Sequence, residues 1–240
     1  MTLYEISARK ELHKWQRDMQ RSPSLPNRLA KKLQDKINKV IPEKVHNAIT
    51  TTIKQMIRGV LFTAGIITAK PSKPDSLEVT EAVIQEKIET YKKTAAVEGG
   101  ITGAGGLLMA FADFPLLIGI KIKMLFDIAA RYGFDTADYK ERLYILHIFQ
   151  LAFCSHEQRN KVYNQMKDWD QKAAALPDDV NKFDWRSFQQ EYRDYIDLAK
   201  LAQLIPVIGA AVGLVVNYRL LKKLGVTAMN AYRMRIMDNG

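Results

Sequence analysis

Two apolar segments rich in glycine, at residues 99–120 and 204–216, constrain this 240-residue chain more than any other feature. Glycine costs about 1 kcal/mol at a helical position relative to alanine, so its clustering indicates that helix backbones approach each other closely. Each segment contains two glycines four positions apart, the spacing that places small residues on one helix face. We therefore expect helical hairpins that either pack inside the fold or face a membrane.

Neither segment has the character of a conventional transmembrane helix. A spanning helix needs about 20 predominantly apolar residues, but Asp113 and Pro115 interrupt the first segment. An ionised carboxylate is costly in hydrocarbon, and proline removes a helical hydrogen-bond donor. The sequence predicts two short helices broken around these residues, with Asp113 capping the second. The segment 204–216 is shorter still, and we expect it to pack beside the first.

The remaining sequence also predicts helices, so the expected fold class is all-α. Apolar residues recur every three or four positions, and sustained alternation with a period of two is scarce. We expect a single helical domain over residues 1–240, with basic amphipathic helices in 1–70 and a helical core in 75–240. Helices are predicted at 25–40, 45–67, 75–98, 139–153 and 184–203, followed by a basic terminal helix after the second glycine-rich segment.

The formal net charge of +10 is concentrated at the two ends of the chain. Residues 1–58 contain thirteen Lys or Arg and five acids, and residues 219–240 contain five Lys or Arg and one acid. Clustered cations attract the phosphates of anionic lipid or of nucleic acid without regard to sequence. No nucleic-acid-binding motif accompanies the first cluster, so a lipid surface is the favoured partner and nucleic acid is not expected.

The candidate contact residues for a membrane or a partner protein are basic residues and glycines. The helix at 25–40 could lie in a membrane interface or pack on the protein core. The Tyr-Arg pairs at 218–219 and 232–233 place an aromatic ring and a cation where they could meet phosphate. The candidates are Arg28, Lys31, Lys32, Lys36, Lys39, Gly99, Gly103, Gly106, Gly209, Gly213, Arg219 and Arg233.

Recognised signatures of catalysis are missing from the sequence. It contains no nucleophile elbow, no metal-binding HExxH helix, no pair of cysteines and no phosphate-binding loop. We therefore expect no catalytic residue, no cofactor and no metal. The single Cys154 cannot form an internal disulfide, and the first residues lack the apolar region of a signal peptide, so we expect a cytoplasmic location.

An alternative function is that of a lipid-binding or lipid-modifying helical protein with a buried site. The candidate groups are His147, which lies in an apolar helix, and the carboxylates Asp113, Asp127 and Asp135. A buried histidine in such a helix is more often a satisfied core residue than a ligand or a base. The sequence supplies no obvious partner for any of these carboxylates.

Several motifs, in their order and separation, resemble the EcsC family over nearly the whole chain. They are GGITGAGG at 99–106, ADFP at 112–115, RYGFD at 131–135, IPVIGAAVG at 205–213, ELHKW at 11–15 and the late Tyr-Arg pair. The family takes its name from a bacterial gene beside those of an ABC transporter. The resemblance therefore implies an accessory protein, peripheral on the inner face of the cell membrane, that acts with such a transporter and has no assigned catalytic activity. Four positions keep an unknown role: Asp113, Pro115, Asp127 and Asp135.

Overall fold

The structure is a computed structural model of the chain. It describes residues 1–21, 43–62, 70–73, 75–102, 106–197, 200–201 and 210–238, without the side chains of 44–46, 95–102, 106–113 and 210–216. Within these ranges the chain forms nine α-helices and no β-strand, which confirms the predicted all-α class. The helices are α1 (Leu3–Gln20), α2 (Glu43–Phe62), α3 (Leu77–Thr102), α4 (Gly106–Arg131), α5 (Tyr139–Phe153), α6 (Arg159–Met166), α7 (Trp169–Ala174), α8 (Trp185–Tyr195) and α9 (Ala210–Asp238).

Helix α5 is the centre of the hydrophobic core. All of its residues except Lys140 are buried, and it contacts α2, α4, α6 and α9. A helix that is apolar on nearly every side must be enclosed by other elements. The side chain of Asp138 caps its first turn by accepting a hydrogen bond of 2.9 Å from the backbone N–H of Lys140. The helix predicted at 139–153 is therefore confirmed with the same bounds.

The most extensive helix pair is formed by α3 and α9. Where they cross, Gly225 of α9 lies so close to Ile88 of α3 that a Cβ atom at position 225 would be 2.6 Å from Ile88 Cδ1. The missing side chain allows the two backbones to approach. Gly225 lies outside both glycine-rich segments, so the clustering of glycines does not predict this close approach.

The predicted break around Asp113 and Pro115 is wrong, because α4 continues through both residues. Asp113 lies inside the helix and therefore does not cap one. Proline in a helix interior costs about 3 kcal/mol, but the next residues along the helix bury large apolar side chains. Phe114, Leu117 and Ile118 are all in the core, and their burial outweighs the lost hydrogen bond.

Three further helix predictions can be compared with the structure. Helix α2 confirms the helix predicted from residue 45, and α3 confirms the one predicted from residue 75, with the Ser76 hydroxyl accepting the backbone N–H of Val79 in its first turn. The helix predicted at 184–203 is wrong in its length. It ends at Tyr195, because Ile196 takes an extended conformation and pairs with Cys154 in an isolated antiparallel bridge.

Other predictions fall partly or wholly outside the described residues. The basic helix at 25–40 lies outside them, as do residues 204–209 of the second glycine-rich segment. Residues 210–216 of that segment form the first turns of α9. Among the helices that the structure describes, none is both long and apolar enough to cross a membrane.

Candidate functional site

A network of buried charges joins the two ends of the chain to the helical core. The Arg233 guanidinium on α9 donates two hydrogen bonds to the Glu81 carboxylate on α3, at 2.7 and 2.5 Å. A third bond, of 2.8 Å, reaches Glu11 on α1. The hydroxyls of Tyr4 and Tyr132 also donate to Glu81, which is 0% exposed. A carboxylate with four donors is stable inside a core because its desolvation is offset by hydrogen bonds.

A second buried ion pair lies next to the first. Arg235 donates to Glu141 on α5 at 2.6 Å and to Asp170 on α7 at 2.5 Å. Tyr232 donates to the other oxygen of Glu141 at 2.7 Å, and its ring stacks on that of Tyr132 at a centroid distance of 5.4 Å. Burial raises the pKa of Glu141 above its ordinary value of 4.5, although Arg235 and Tyr232 oppose the shift.

This network, which we call the arginine network, occupies the C-terminal half of α9. It includes Arg233, one of the candidates for contact with a membrane. That residue is 4% exposed and its guanidinium is held by two carboxylates, so it faces the core and not the surface. Arg219, the other arginine candidate on α9, lies at the surface.

The described flanks of the two glycine-rich segments meet at the other half of α9. Lys121 on α4 donates hydrogen bonds to Asn217 Oδ1 on α9, at 2.8 Å, and to the backbone oxygen of Leu117 at 3.2 Å. The ammonium of Lys92 on α3 lies 4.0 Å from the ring centroid of Tyr218. We call this meeting point the junction. These contacts join the flanks of the two segments, and the packing of the second segment beside the first stays a prediction.

Three of the glycine candidates lie in described helices whose ends precede or follow the junction in sequence. Gly99 is in the last turn of α3, Gly106 begins α4 and Gly213 lies in the first turn of α9. Seven other candidates lie outside the described residues. They are Arg28, Lys31, Lys32, Lys36, Lys39, Gly103 and Gly209.

Two of the three candidate carboxylates, Asp127 and Asp135, have described side chains and occupy separate places. Asp127 is partly buried and accepts hydrogen bonds from Tyr91 at 2.7 Å and from Lys123 at 2.5 Å, with Lys87 at 3.6 Å. Burial opposes its ionisation, but these donors bring the pKa of Asp127 below its ordinary value of 3.8. Asp135 is exposed and accepts the backbone N–H of Ala137 in a turn. Both carboxylates therefore have local structural partners.

A cleft of about 530 Å³ opens between α5, α6, α7 and α8. Its apolar walls come from side chains on several of these elements, including Leu143, Trp169, Leu176, Phe183 and Phe188. Polar and charged side chains, among them Lys161, Glu191 and Ser187, also line it. Neither Asp127 nor Asp135 does, so the structure does not assemble the predicted carboxylate and histidine site from these residues.

His147 is the titratable group in the wall of this cleft that is most deeply buried, with 8% of its surface exposed. Its ring lies edge-on between Trp169 and Phe188, at centroid distances of 5.5 and 5.4 Å. Its Nδ1 atom is 3.2 Å from Gln150 Oε1. Burial lowers the pKa of His147 to about 4, so the imidazole is neutral at pH 7.

Sequence reasoning missed most residues of both sites. Glu81 carried one local signal, because it lies on the same helical stripe as the buried Ile84 and Ile88. Trp169 and Phe188 gave no such signal, since they are brought to His147 only by tertiary structure. Within the ranges that the structure covers, no group of three or more His, Cys, Asp or Glu could hold a metal ion.

The protein is therefore an all-α protein with a buried arginine network, in which the flanks of two glycine-rich segments meet at one junction. The chain belongs to the EcsC protein family, whose model matches residues 7–237. It is 42% identical over 228 residues to Protein EcsC of Bacillus subtilis (strain 168), covering 95% of this chain and 94% of that protein. It is also 28% identical over 247 residues to Uncharacterized protein YdbA of the same organism, covering 94% and 90%. No solved structure matches the chain.

Proposed function

We propose that this protein is a non-catalytic accessory protein that binds peripherally to the cytoplasmic face of the cell membrane and acts there with an ABC transporter. The junction is the observation that carries the membrane half of the proposal. It brings the flanks of both glycine-rich segments to one place on the molecule, through Lys121 with Asn217 and Lys92 with Tyr218. Because both glycine-rich segments adjoin the junction, they can contact the same membrane surface together.

Exposed apolar and basic side chains lie within a few residues of the junction on α4 and α9. Leu116 on α4 is 54% exposed and Tyr218 on α9 is 41% exposed. Arg219 and Lys222, next to Tyr218 and one turn further along α9, are exposed as well. Amphipathic surfaces of this composition partition into the interface of anionic membranes, where each basic residue contributes about 1 kcal/mol.

The transporter half of the proposal rests on the family. Membership of the EcsC family is shown by the match over residues 7–237, and the gene that names this family lies beside those of an ABC transporter. Helices rich in small residues pack closely on other helices in a bilayer, because the missing side chains allow backbone contact. The glycine-rich segments would therefore dock on transmembrane helices of the transporter.

Co-sedimentation with vesicles tests the membrane half. At low salt, the wild-type protein should pellet with vesicles that contain anionic phosphatidylglycerol and stay in the supernatant with pure phosphatidylcholine. Combined Arg219→Glu and Lys222→Glu substitutions should reduce the bound fraction more than tenfold, since two attractive charges become repulsive. The matched control reverses two exposed arginines on α8, Arg186→Glu and Arg193→Glu, and should bind like the wild type.

Two results would contradict this half of the proposal. One is a wild-type protein that stays in solution with both kinds of vesicle. The other is an equal loss of binding in the α8 control, which would indicate attraction by net charge alone.

The transporter half is tested by chemical cross-linking in native membranes, followed by purification of the tagged full-length chain. Subunits of an ABC transporter should be enriched with the wild type relative to a Leu116→Asp variant, which places a charge beside the junction. A protein that is bound to membranes but cross-links to no transporter subunit would refute this half and leave the lipid half intact.

A further inference from the structure

We propose that the cleft binds a small, neutral, largely apolar alcohol or phenol, whose hydroxyl donates a hydrogen bond to His147 Nε2. This ligand site is independent of membrane attachment and of the transporter. The proposed site shares His147 with the lipid-binding site that the sequence offers as an alternative. Aromatic residues around the cleft take the place of the candidate carboxylates.

The size and the walls of the cleft fit a ligand of this kind. Small-molecule sites commonly have volumes of about 300–1,000 Å³ and apolar walls with a few polar groups, and this cleft has about 530 Å³. Trp169 on α7, Phe188 on α8 and Phe183 in the chain between these helices supply broad apolar faces. Such faces bury a ring or an acyl chain favourably but do not orient it, so orientation must come from a polar group.

The hydrogen bonds around His147 assign its tautomer. The amide nitrogen of Gln150 donates to the backbone oxygen of Tyr192 at 3.4 Å, which leaves its Oε1 atom to face the imidazole. Because Oε1 only accepts hydrogen bonds, the proton of the neutral ring is on Nδ1. Nε2 is therefore an acceptor, and no described residue donates to it.

An acceptor in the wall of the cleft to which no described residue donates favours a ligand that donates a hydrogen bond. His147 is more than nine-tenths buried and forms part of the cleft wall. A ligand hydroxyl that reaches Nε2 from the cleft would form one net hydrogen bond in an apolar surrounding. A ligand that can only accept a hydrogen bond would meet a lone pair instead, and would bind less well.

The charges at the rim argue for a neutral ligand. The ammonium of Lys172 is engaged by the backbone oxygens of Asn164 and Lys167, at 2.5 and 2.6 Å, at the end of α6. Asp184 accepts the Ser187 hydroxyl and caps α8, and Glu191 accepts the side-chain amide of Gln165 at 2.8 Å. Because the rim carries both signs and most of these groups already have partners, neither an anion nor a cation gains a strong counter-charge.

Isothermal titration calorimetry with a matched pair of probes tests the proposal at pH 7. The probes are 4-propylphenol and 4-propylanisole, which share a ring and a chain, but only the phenol donates a hydrogen bond. The wild-type protein should bind the phenol about fivefold more tightly, the effect of one net hydrogen bond. His147→Phe should keep the ring shape and bind both probes equally.

Two further variants separate the site from general effects. Ser187→Trp changes an exposed residue at the rim, should fold normally, and should abolish binding of both probes by filling the cleft. His156→Phe makes the same change as the test variant at an exposed histidine outside the cleft. It should leave both affinities unchanged.

The spectroscopic readout is the ¹⁵N chemical shift of His147 Nε2, which should move on addition of the phenol and stay in place with the anisole. The proposal is overturned if the wild type binds neither probe at millimolar concentration. It is also overturned if Ser187→Trp binds both as the wild type does, or if the phenol has no advantage over the anisole. Failure here leaves the vesicle experiment unaffected, because the junction and the cleft share no described residue.

Discussion

The two Tyr-Arg pairs of α9 have the same sequence and opposite environments. They lie fourteen positions apart, about four helical turns, and so point to nearly the same side of the helix. Arg219 is exposed and Tyr218 lies beside the Lys92 ammonium, at the junction. Arg233 is buried and paired with Glu81 and Glu11, at the opposite end of the helix.

The buried pair is held by α1 as well as by α3, and the described hydrogen bonds between α1 and α9 lie in the C-terminal half of α9. Glu11 of α1 reaches Arg233, and Arg9 donates to the backbone oxygen of Met237. No local sequence property separates the two pairs. Burial of Arg233 depends on partners that are 152 and 222 positions away in the chain.

The largest expected effect comes from removing the two arginines in turn. Arg233→Met leaves the Glu81 carboxylate buried without its main partner, and should lower the free energy of unfolding by about 3–5 kcal/mol. Arg219→Met changes a surface group, and should alter it by less than about 0.5 kcal/mol. Urea denaturation followed by circular dichroism measures both, and equal effects would break the contrast between the two ends of α9.

A pair of histidines sharpens the same contrast through pH. The pKa of His147 is about 4 against an ordinary value of 6.5. Between these pH values the imidazole is protonated in the unfolded chain and neutral in the folded protein. Stability should fall as the pH is lowered, by about 2 kcal/mol between pH 7 and pH 5. His147→Phe should remove that part of the slope. The same change at His13, an exposed residue on α1, should retain it, and an unchanged slope in the first variant would show that His147 titrates normally.

The tyrosines of the two pairs provide a smaller test. Tyr232→Phe removes the hydroxyl that donates to the buried Glu141 carboxylate at 2.7 Å, and should cost about 1.5 kcal/mol, as expected for a hydrogen bond to a charged group. Tyr218→Phe keeps the ring that lies beside Lys92 and should be nearly neutral. Thermal unfolding at pH 7 compares them, and a neutral Tyr232→Phe variant would mean that water or another donor replaces the hydroxyl.

The smallest expected effect comes from substituting two glycines, one on α9 where it crosses α3 and one on α4 close to the junction. Gly225→Ala would press a methyl group against Ile88 and should destabilise the fold by about 1 kcal/mol, overpacking exceeding the gain in helix propensity. Gly119→Ala, on α4 close to the junction, meets no atom within 4 Å and should stabilise by up to about 1 kcal/mol.

The double variant Gly225→Ala with Ile88→Ala identifies the cause. If the clash is responsible, the cost of the double variant should be smaller than the sum of the two single costs, measured by urea denaturation. Additive costs would place the strain elsewhere.

What could be predicted from the sequence was local. The bounds of α5 were correct because its apolar run and the Asp138 cap are both contained in a short stretch of chain. The fold class followed from the same periodicity along the whole chain. The family resemblance was confirmed by the match over residues 7–237, since its motifs keep their order and spacing.

What could not be predicted depends on tertiary packing. The rule that proline ends a helix failed at Pro115, because the burial of Phe114, Leu117 and Ile118 favours a continuous α4. Both partners of Arg233 are remote, Glu81 by 152 positions and Glu11 by 222. The cleft could not be predicted from the sequence either, because the walls around His147 come from helices that are separate in sequence.

The long distance in sequence between Arg233 and its partners Glu11 and Glu81 has a consequence for synthesis on the ribosome. Glu11 and Glu81 are made early, but the guanidinium that pairs with them leaves the exit tunnel only after the last turns of α9 are complete. Until then, α1 and α3 carry carboxylates that favour hydration over burial, and the α3–α9 contact, the most extensive in the fold, cannot form. The nascent chain must therefore remain partly open until α9 has left the exit tunnel, and a truncation that removes the end of α9 would leave α1 without its place in the core.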